Sequence, residues 1–538
     1  MITVYLNRQS FQYDVHSLVR AFYPEQEVQV KCEPSEAIKE PSPQSIFLLE
    51  ILFQPEAAQA SQTVSLCQQP GFAELSRLSI RLLEAKEEKL HMNGICQEGD
   101  RKESKNILKR LLYRLLSEYS GRTLPWGNLT GIRPTKIPMM LLNQGWKNSD
   151  IASYMRKTYY TSNEKTALAI AIANREHHLL EALSLTPKTI SSQSDRVVSG
   201  GCPTGKDGSS EIDPDIFHKG YSLYIGIPFC PSICLYCSFS SSPIALWKEK
   251  VDSYLDALLY EIESVSALLP DRRPTTVYIG GGTPTTLEPE QMERLLAKLD
   301  ECFEMDQVRE FTVEAGRPDS ISRGKLAVLK AHGVTRISIN PQTMNQETLD
   351  FIGRRHTTEQ TVEAFYLARD LGFDNINMDL IVGLPGEGAP EVEHTMRVLS
   401  DMRPDSITVH SLAVKRAARL RLFREEHQEL SFENSSAIMD MTAAYTREAG
   451  LHPYYLYRQK NMAGNFENVG YAREGCEGLY NILIMEEIQT IIALGAGAAS
   501  KLVRPGNRIE RVENVKDIRN YMERIDEMIE RKRSGLHG

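Results

Sequence analysis

Cys230, Cys234 and Cys237 stand together in Ile227-Pro228-Phe229-Cys230-Pro231-Ser232-Ile233-Cys234-Leu235-Tyr236-Cys237, at the spacing C-x3-C-x2-C. Thiolates are the ligands of iron–sulfur clusters, and three from one loop can close onto a single [4Fe–4S] cube while leaving one iron without a protein ligand. A zinc site is the first competitor. A structural zinc ion wants four ligands, commonly in two paired knuckles, and the chain has no second C-x2-C pair. Idle thiols are the other competitor. The tight spacing, directly after an apolar strand, favours the cluster with these three cysteines as metal ligands.

Two further segments could do chemistry beside them. Gly280-Gly281-Gly282-Thr283-Pro284 lets backbone approach a ligand where any Cβ would clash, although a glycine-rich run alone is a common turn. In Asn375-Ile376-Asn377-Met378-Asp379-Leu380-Ile381, strand alternation puts Asn377 and Asp379 on one face and Ile376, Met378 and Leu380 on the other. Polar side chains directed into a core need partners, which a ligand or an internal arginine such as Arg336 or Arg354 could supply.

The elements that position these residues are six strand-like runs at Leu223 to Ile227, Thr276 to Ile279, Phe311 to Glu314, Arg336 to Ile339, Asn375 to Ile381 and Ser406 to His410. Amphipathic helices alternate with them, one carrying Val251, Tyr254, Leu255, Leu258, Leu259 and Ile262. The pattern predicts an α/β fold with a parallel sheet, either an incomplete barrel or open and doubly wound, and a site at the carboxyl ends of the strands. The domain expectation is an α+β and helical extension over 1–186, a linker or insertion over 187–216, a partial (β/α)6 barrel over 217–414 and a small C-terminal domain over 415–538 that covers the substrate. In the extension, strands are expected at Thr3 to Leu6, Val28 to Cys32 and Ile46 to Phe53, followed by helices. Its loop from Leu124 to Lys136, with Trp126 and Arg133, reads as a packed connector in preference to a ligand contact.

C-x3-C-x-aromatic-C after a first barrel strand resembles the signature of radical S-adenosylmethionine (SAM) enzymes. The resemblance implies that SAM chelates the open iron, that one electron cleaves its carbon–sulfur bond, and that the resulting 5′-deoxyadenosyl radical abstracts a hydrogen atom. Gly280 to Pro284 is similar to the segment that contacts the SAM amino group. Glu314, at the end of the third strand, suits the ribose hydroxyls, or equally a surface position. A closer resemblance, over roughly Tyr221 to Ser500, is to the oxygen-independent coproporphyrinogen III dehydrogenases (oxidases). The long extension, Thr130-Gly131-Ile132-Arg133-Pro134-Thr135-Lys136 and Tyr457 to Asn465 are similar to their HemZ-type subgroup.

That resemblance implies contacts from Tyr224, Gly281 and Glu314 to the cluster-bound SAM. It implies contacts from Tyr236, Gly282, Thr283, Gln342, Arg354, Asp379 and Ala413 to a second SAM or the substrate, so one SAM or two. Tyr224, Glu314 and Asp379 are the expected catalytic residues. The implied reaction is oxidative decarboxylation of propionate side chains to vinyl groups, giving protoporphyrinogen IX, with a reductase or a flavodoxin- or ferredoxin-type protein as electron donor. One departure stands out: the well-studied dehydrogenases carry a further cysteine two residues after the third ligand, and here Ser238-Phe239 follows Cys237. In this the chain resembles the related heme chaperones, so a heme-binding chaperone, or an enzyme acting on another tetrapyrrole, is the alternative. A substrate with four carboxylates needs cations, for which Arg133, Lys415, Arg416, Arg458 and Lys460 are candidates. Tyr454, Tyr455 and Tyr457 could face a tetrapyrrole or form a half-buried strand.

Composition bounds the remaining possibilities. Of 538 residues, 41% are hydrophobic and 25% charged, the balance of a globular protein. Lys and Arg total 62 against 71 Asp and Glu, a net charge of -9 that argues against nucleic acid or an anionic membrane as main partner. Membrane insertion is not expected, since no apolar run approaches about 18 residues. Nine cysteines with no signal-like opening predict a reducing cytoplasm, with Cys32, Cys67, Cys96, Cys202, Cys302 and Cys476 as ordinary thiols.

Overall fold

Strands buried along nearly their whole length need cover on both faces, and six such strands in succession dictate the architecture of the larger part of this protein. The computed structural model describes residues 1–32, 46–55, 75–183, 220–270, 272–413, 434–459, 466–506 and 508–537. The linker expected at 187–216 lies outside the described residues, as do Lys415, Arg416, Lys460, Cys67 and Cys202. Two compact units result, one of Met1–Pro134 with Gly145–Ile170, the other of Thr135–Gln144 with Ala171–Gly538.

The first unit holds β1 (Ile2–Leu6), β2 (Val28–Lys31), β3 (Leu48–Pro55), β4 (Leu75–Glu84) and β5 (Glu87–Gln97), in the sheet order β2-β1-β3-β4-β5. Val15, Leu18, Val19 and Phe22 of one helix and Leu108, Leu112, Leu115 and Leu116 of another pack with Val4, Leu49, Ile51 and Ile80. The β4–β5 hairpin is absent from the sequence expectation. Its turn places Ala85 and Lys86 at φ 45° and 74°, a left-handed pair usually signalled by Asn or Gly. Trp126 is fully buried, and the Asn128 N–H donates to the Tyr159 carbonyl at 2.9 Å.

The second unit holds β6 (Tyr221–Ile227), β7 (Phe229–Cys230), β8 (Ser242–Pro243), β9 (Pro274–Gly281), β10 (Glu310–Gly316), β11 (Arg336–Ile339), β12 (Ile376–Val382) and β13 (Ser406–Ser411). It continues with β14 (His452–Tyr457), β15 (Asn468–Ala472), β16 (Ile491–Leu494), β17 (Ala499–Arg504) and β18 (Arg508–Glu513). The six expected strands, β6, β9, β10, β11, β12 and β13, are parallel neighbours in that order. They form a partial barrel strip with helices between successive strands. Beyond the expectation, the C-terminal residues extend this sheet at both edges: β16 pairs parallel with β6, and β15 pairs antiparallel with β13. Among the described residues the sheet therefore has eleven strands. No helix among the described residues is long and apolar enough to cross a membrane.

A buried ion pair ties the last helix, Ile525–His537, to the helix Val251–Ser266 that follows β8. Lys532 Nζ lies 2.6 Å from Glu261 Oε1, both side chains being essentially excluded from solvent. The remaining carboxylate valences are filled by Tyr521 Oη at 2.6 Å, Asn514 Nδ2 at 2.8 Å and the Gly495 N–H at 2.8 Å. Removing one partner would leave the other charge buried and uncompensated. Lys532→Ala should therefore lower unfolding stability by about 3–5 kcal/mol in urea titrations, and a loss under about 1 kcal/mol would contradict this account.

Candidate functional site

The parallel register of β6 with β9 sets Tyr224 beside Tyr278 and Ile227 beside Gly281. Beyond the strand ends, the Gly282 N–H donates to the Ile227 carbonyl and the Thr283 N–H to the Phe229 carbonyl, each at 2.7 Å. A Cβ on residue 282 would stand 2.4 Å from the Phe229 oxygen, and Gly281 sits at φ +107°, so glycine is required at both positions. This brings Thr283 Oγ1 within 3.6 Å of Cys230 Sγ.

The rest of the cysteine loop is fastened to the turn after the helix Gln346–Phe351. The Leu235 N–H donates to the Ile352 carbonyl at 3.0 Å, and Ser232 Oγ donates to the Gly353 carbonyl at 3.1 Å. Cys234 is buried, while Cys230 and Cys237 are half-buried. Burial pushes the Cys237 thiol up. The Phe239 N–H opposes this, and the neighbouring Cys234 and Cys230 reinforce it. Three soft sulfur donors on one loop, near enough for Cys234 and Cys230 to act electrostatically on Cys237, fit a cationic iron cluster, which would stabilise them as thiolates.

Along the inner face of the strip, successive strands each contribute a polar side chain. Tyr224 and Tyr278 stack at 6.2 Å, and Tyr480 stacks on Tyr278 at 4.5 Å. Glu310 holds Tyr480 in place by accepting the N–H groups of Leu479 and Tyr480. Tyr278 Oη donates to Glu314 Oε1, and Asn340 Nδ2 donates to Glu314 Oε2 at 3.2 Å. Ser338 Oγ donates to Asn340 Oδ1 at 2.6 Å, and Asn377 Nδ2 donates to Ser338 Oγ at 2.8 Å and to Asp379 Oδ1 at 2.7 Å. Asp379 Oδ2 lies 3.6 Å from His410 Nε2.

This row separates the two carboxyls electrostatically. Burial raises the Glu314 pKa and the nearby Asp379 charge raises it further. Asp379 is also pushed up by burial, but hydrogen bonding with His410, Asn377 and Thr408 and the His410 charge outweigh this and hold its pKa below the usual range. The two carboxyls are thus driven in opposite directions, Glu314 toward holding its proton longer and Asp379 toward losing it sooner.

Among the expected site residues, Tyr224, Glu314 and Asp379 line this row, and Gly281, Gly282 and Thr283 form the glycine turn. Tyr236 and Arg354 meet beside the cysteine loop, where Arg354 Nη1 donates to Tyr236 Oη at 3.2 Å. Gln342 is a non-glycine residue at φ 70°, held by backbone hydrogen bonds to Asp379 and Ile381. Its buried Oε1 and the buried Nε of Arg354 have no hydrogen-bond partner among the described residues, the state of polar atoms that await a ligand. Ala413 lies just past β13.

Neither expected arginine pairs with Asp379. Arg336 Nη2 donates to Ser406 Oγ at 3.0 Å, and His410 serves Asp379 instead. Of the candidate cations, Arg133 belongs to the first unit, and burial pushes Arg458 down to about 10 against the opposing charge of Glu467. Tyr454 and Tyr455 are core residues packed with Met139, Ala173 and Ile482, while burial and the Asp379 charge push Tyr457 up to about 12. Tyr278, Asn340 and His410 escaped the sequence reading because cross-strand register brings them to this face: Tyr278 pairs with Thr312, and Ser338 and Thr408, two residues before Asn340 and His410, pair with Glu314 and Asp379. Tyr480 carries no local signal, because it arrives from a distant helix.

Comparison with known proteins adds independent findings. The Radical SAM superfamily model matches residues 224–399. The oxygen-independent coproporphyrinogen-III oxidase-like protein HemZ of Bacillus subtilis is 40% identical over 80% of this chain and 81% of its own length. The heme chaperone HemW of the same organism is 33% identical over 57% of this chain and 76% of its own. Among solved structures, the radical SAM enzyme coproporphyrinogen III oxidase (HemN) of Escherichia coli aligns with a TM-score of 0.48 and 25% identity, covering 58% of this chain and 70% of that one.

The coupling between the two carboxyls can be measured directly. Asp379→Asn removes the like charge and should lower the Glu314 pKa, read from the pH dependence of a selectively 13C-labelled glutamate carboxyl. An unchanged or raised Glu314 midpoint would contradict the arrangement.

Proposed function

From the premise that this chain belongs to the family of oxygen-independent coproporphyrinogen-III oxidase-like proteins of the radical SAM superfamily, we propose that it is an oxygen-independent coproporphyrinogen III dehydrogenase. The observation that carries this reading is the joining of three thiols and a glycine turn at the carboxyl ends of β6 and β9, above a continuous polar row. The superfamily works with a [4Fe–4S] cluster and SAM. Bound here, this pair supplies one electron and the abstraction of a hydrogen atom from the β-carbon of a propionate side chain.

In this reading Cys230, Cys234 and Cys237 hold the cluster, with Thr283 donating toward the Cys230 sulfur. Tyr224, Gly281 and Glu314 hold its SAM, and Tyr278 and Asn340 fix the orientation of the Glu314 carboxyl. Tyr236, Gly282, Thr283, Gln342, Arg354, Asp379 and Ala413 serve a second SAM or the substrate. His410 keeps Asp379 ionised on that side. The barrel at 217–414 carries the chemistry and residues 415–538 cover the tetrapyrrole. A flavodoxin- or ferredoxin-type donor supplies electrons, in a cytoplasm reducing enough for an oxygen-labile cluster.

One observation favours a second reading. Ser238-Phe239 stands where the dehydrogenases have their further cysteine, and the HemW relative is named a heme chaperone. Anaerobic reconstitution followed by SAM, a reductant and coproporphyrinogen III should give 5′-deoxyadenosine together with harderoporphyrinogen and protoporphyrinogen IX by chromatography. 5′-Deoxyadenosine without either tetrapyrrole would contradict the substrate assignment, and stoichiometric heme binding without turnover would support the chaperone. Cys→Ala at 230, 234 and 237 together should abolish iron uptake.

A further inference from the structure

Arg317 follows β10 and is buried, with 3% of its surface exposed. Its Nε and Nη2 grip the two oxygens of Asp319 at 3.0 and 2.7 Å, which fixes the plane of the guanidinium. The remaining edge faces the cysteine loop: Nη1 lies 2.7 Å from Ser232 Oγ, 3.4 Å from the Ser232 carbonyl and 4.0 Å from Cys234 Sγ. Ser232 spends its own proton on the Gly353 carbonyl, so its hydroxyl oxygen is free to accept from Arg317. The pair is thus a fixed dipole inside the protein, with its positive end toward a cluster ligand and its negative end behind.

We infer that Arg317 is a positioning residue for the iron–sulfur cluster that also raises its reduction potential, with Asp319 limiting the rise. The inference rests on the cluster reading above and goes beyond it, since none of the roles assigned there involves Arg317 or Asp319. Charge and hydrogen bonds near the ligand sulfurs set the potential of such clusters. A positive edge near Cys234 stabilises the extra electron of the reduced state, and the Asp319 carboxylate partly cancels that field. Cluster geometry and cluster electrostatics are therefore carried by one side chain.

The test is a redox titration of the reconstituted full-length protein, monitored by electron paramagnetic resonance without SAM, alongside iron analysis. Arg317→Gln should shift the midpoint to more negative potential by about 59 mV or more, the tenfold step of a one-electron couple. Asp319→Asn should shift it the opposite way, and Arg317→Lys should lie nearer the wild type than Arg317→Gln. A clamp with no electrostatic role would not produce opposite signs, so unshifted midpoints, or shifts of one sign in both variants, overturn the inference. Should Arg317→Gln fail to load iron, the sign of the Asp319→Asn shift decides alone. A wild-type chain that takes up no cluster overturns the cluster reading and this inference with it, whereas a loaded wild type with unshifted variants overturns the inference only.

Discussion

Two backbone hydrogen bonds, from Gly282 to Ile227 and from Thr283 to Phe229, hold the ends of β6 and β9 together at 2.7 Å, and the rest of the site depends on that closeness. They form only because residue 282 has no side chain; a Cβ there would meet the Phe229 oxygen at 2.4 Å. Forcing these strand ends apart would draw Thr283 away from Cys230 and open the path of the cysteine loop. A glycine run that is uninformative in isolation therefore becomes a requirement once the strand register is known.

The sheet carries this constraint across the molecule. Parallel strands fall into fixed register, so one or two polar residues from each strand build a continuous row from Tyr278 to His410. Within a poorly solvated interior such a row is tolerable only when each group has a partner. It also separates the two carboxyls, since a donor-rich environment lowers the Asp379 pKa while burial and the Asp379 charge raise that of Glu314. The structure places the same economy beside the cysteines, where Asp319 satisfies two arms of a buried guanidinium and leaves the third for the loop.

Much of the barrel was legible because its strands are short apolar runs separated by amphipathic helices, and Arg336–Ile339 agrees with the expectation at both ends. The cysteine spacing was legible for a chemical reason, as few structures other than a cluster want three thiols so close. The hairpin of β4 and β5 escaped because its turn lacks glycine or asparagine, and the places of β15 and β16 escaped because each adds to a sheet edge whose strand is far away in sequence. Asp379 was expected to need a partner, but the choice of His410 over an arginine is set by the alignment of β12 with β13. The contact of Arg317 with the cysteine loop is likewise set by tertiary structure, and no local pattern announces it.

The central claim is that three cysteines form one deliberately incomplete site. Mössbauer spectroscopy of protein reconstituted with 57Fe tests it most directly, because an iron without a thiolate should be distinguishable from the other three when SAM is added. The account predicts a change in one iron of every four, with the remaining three retaining their thiolate-ligated parameters. Four irons that respond identically, or a mononuclear iron signal in place of a cluster, would contradict it.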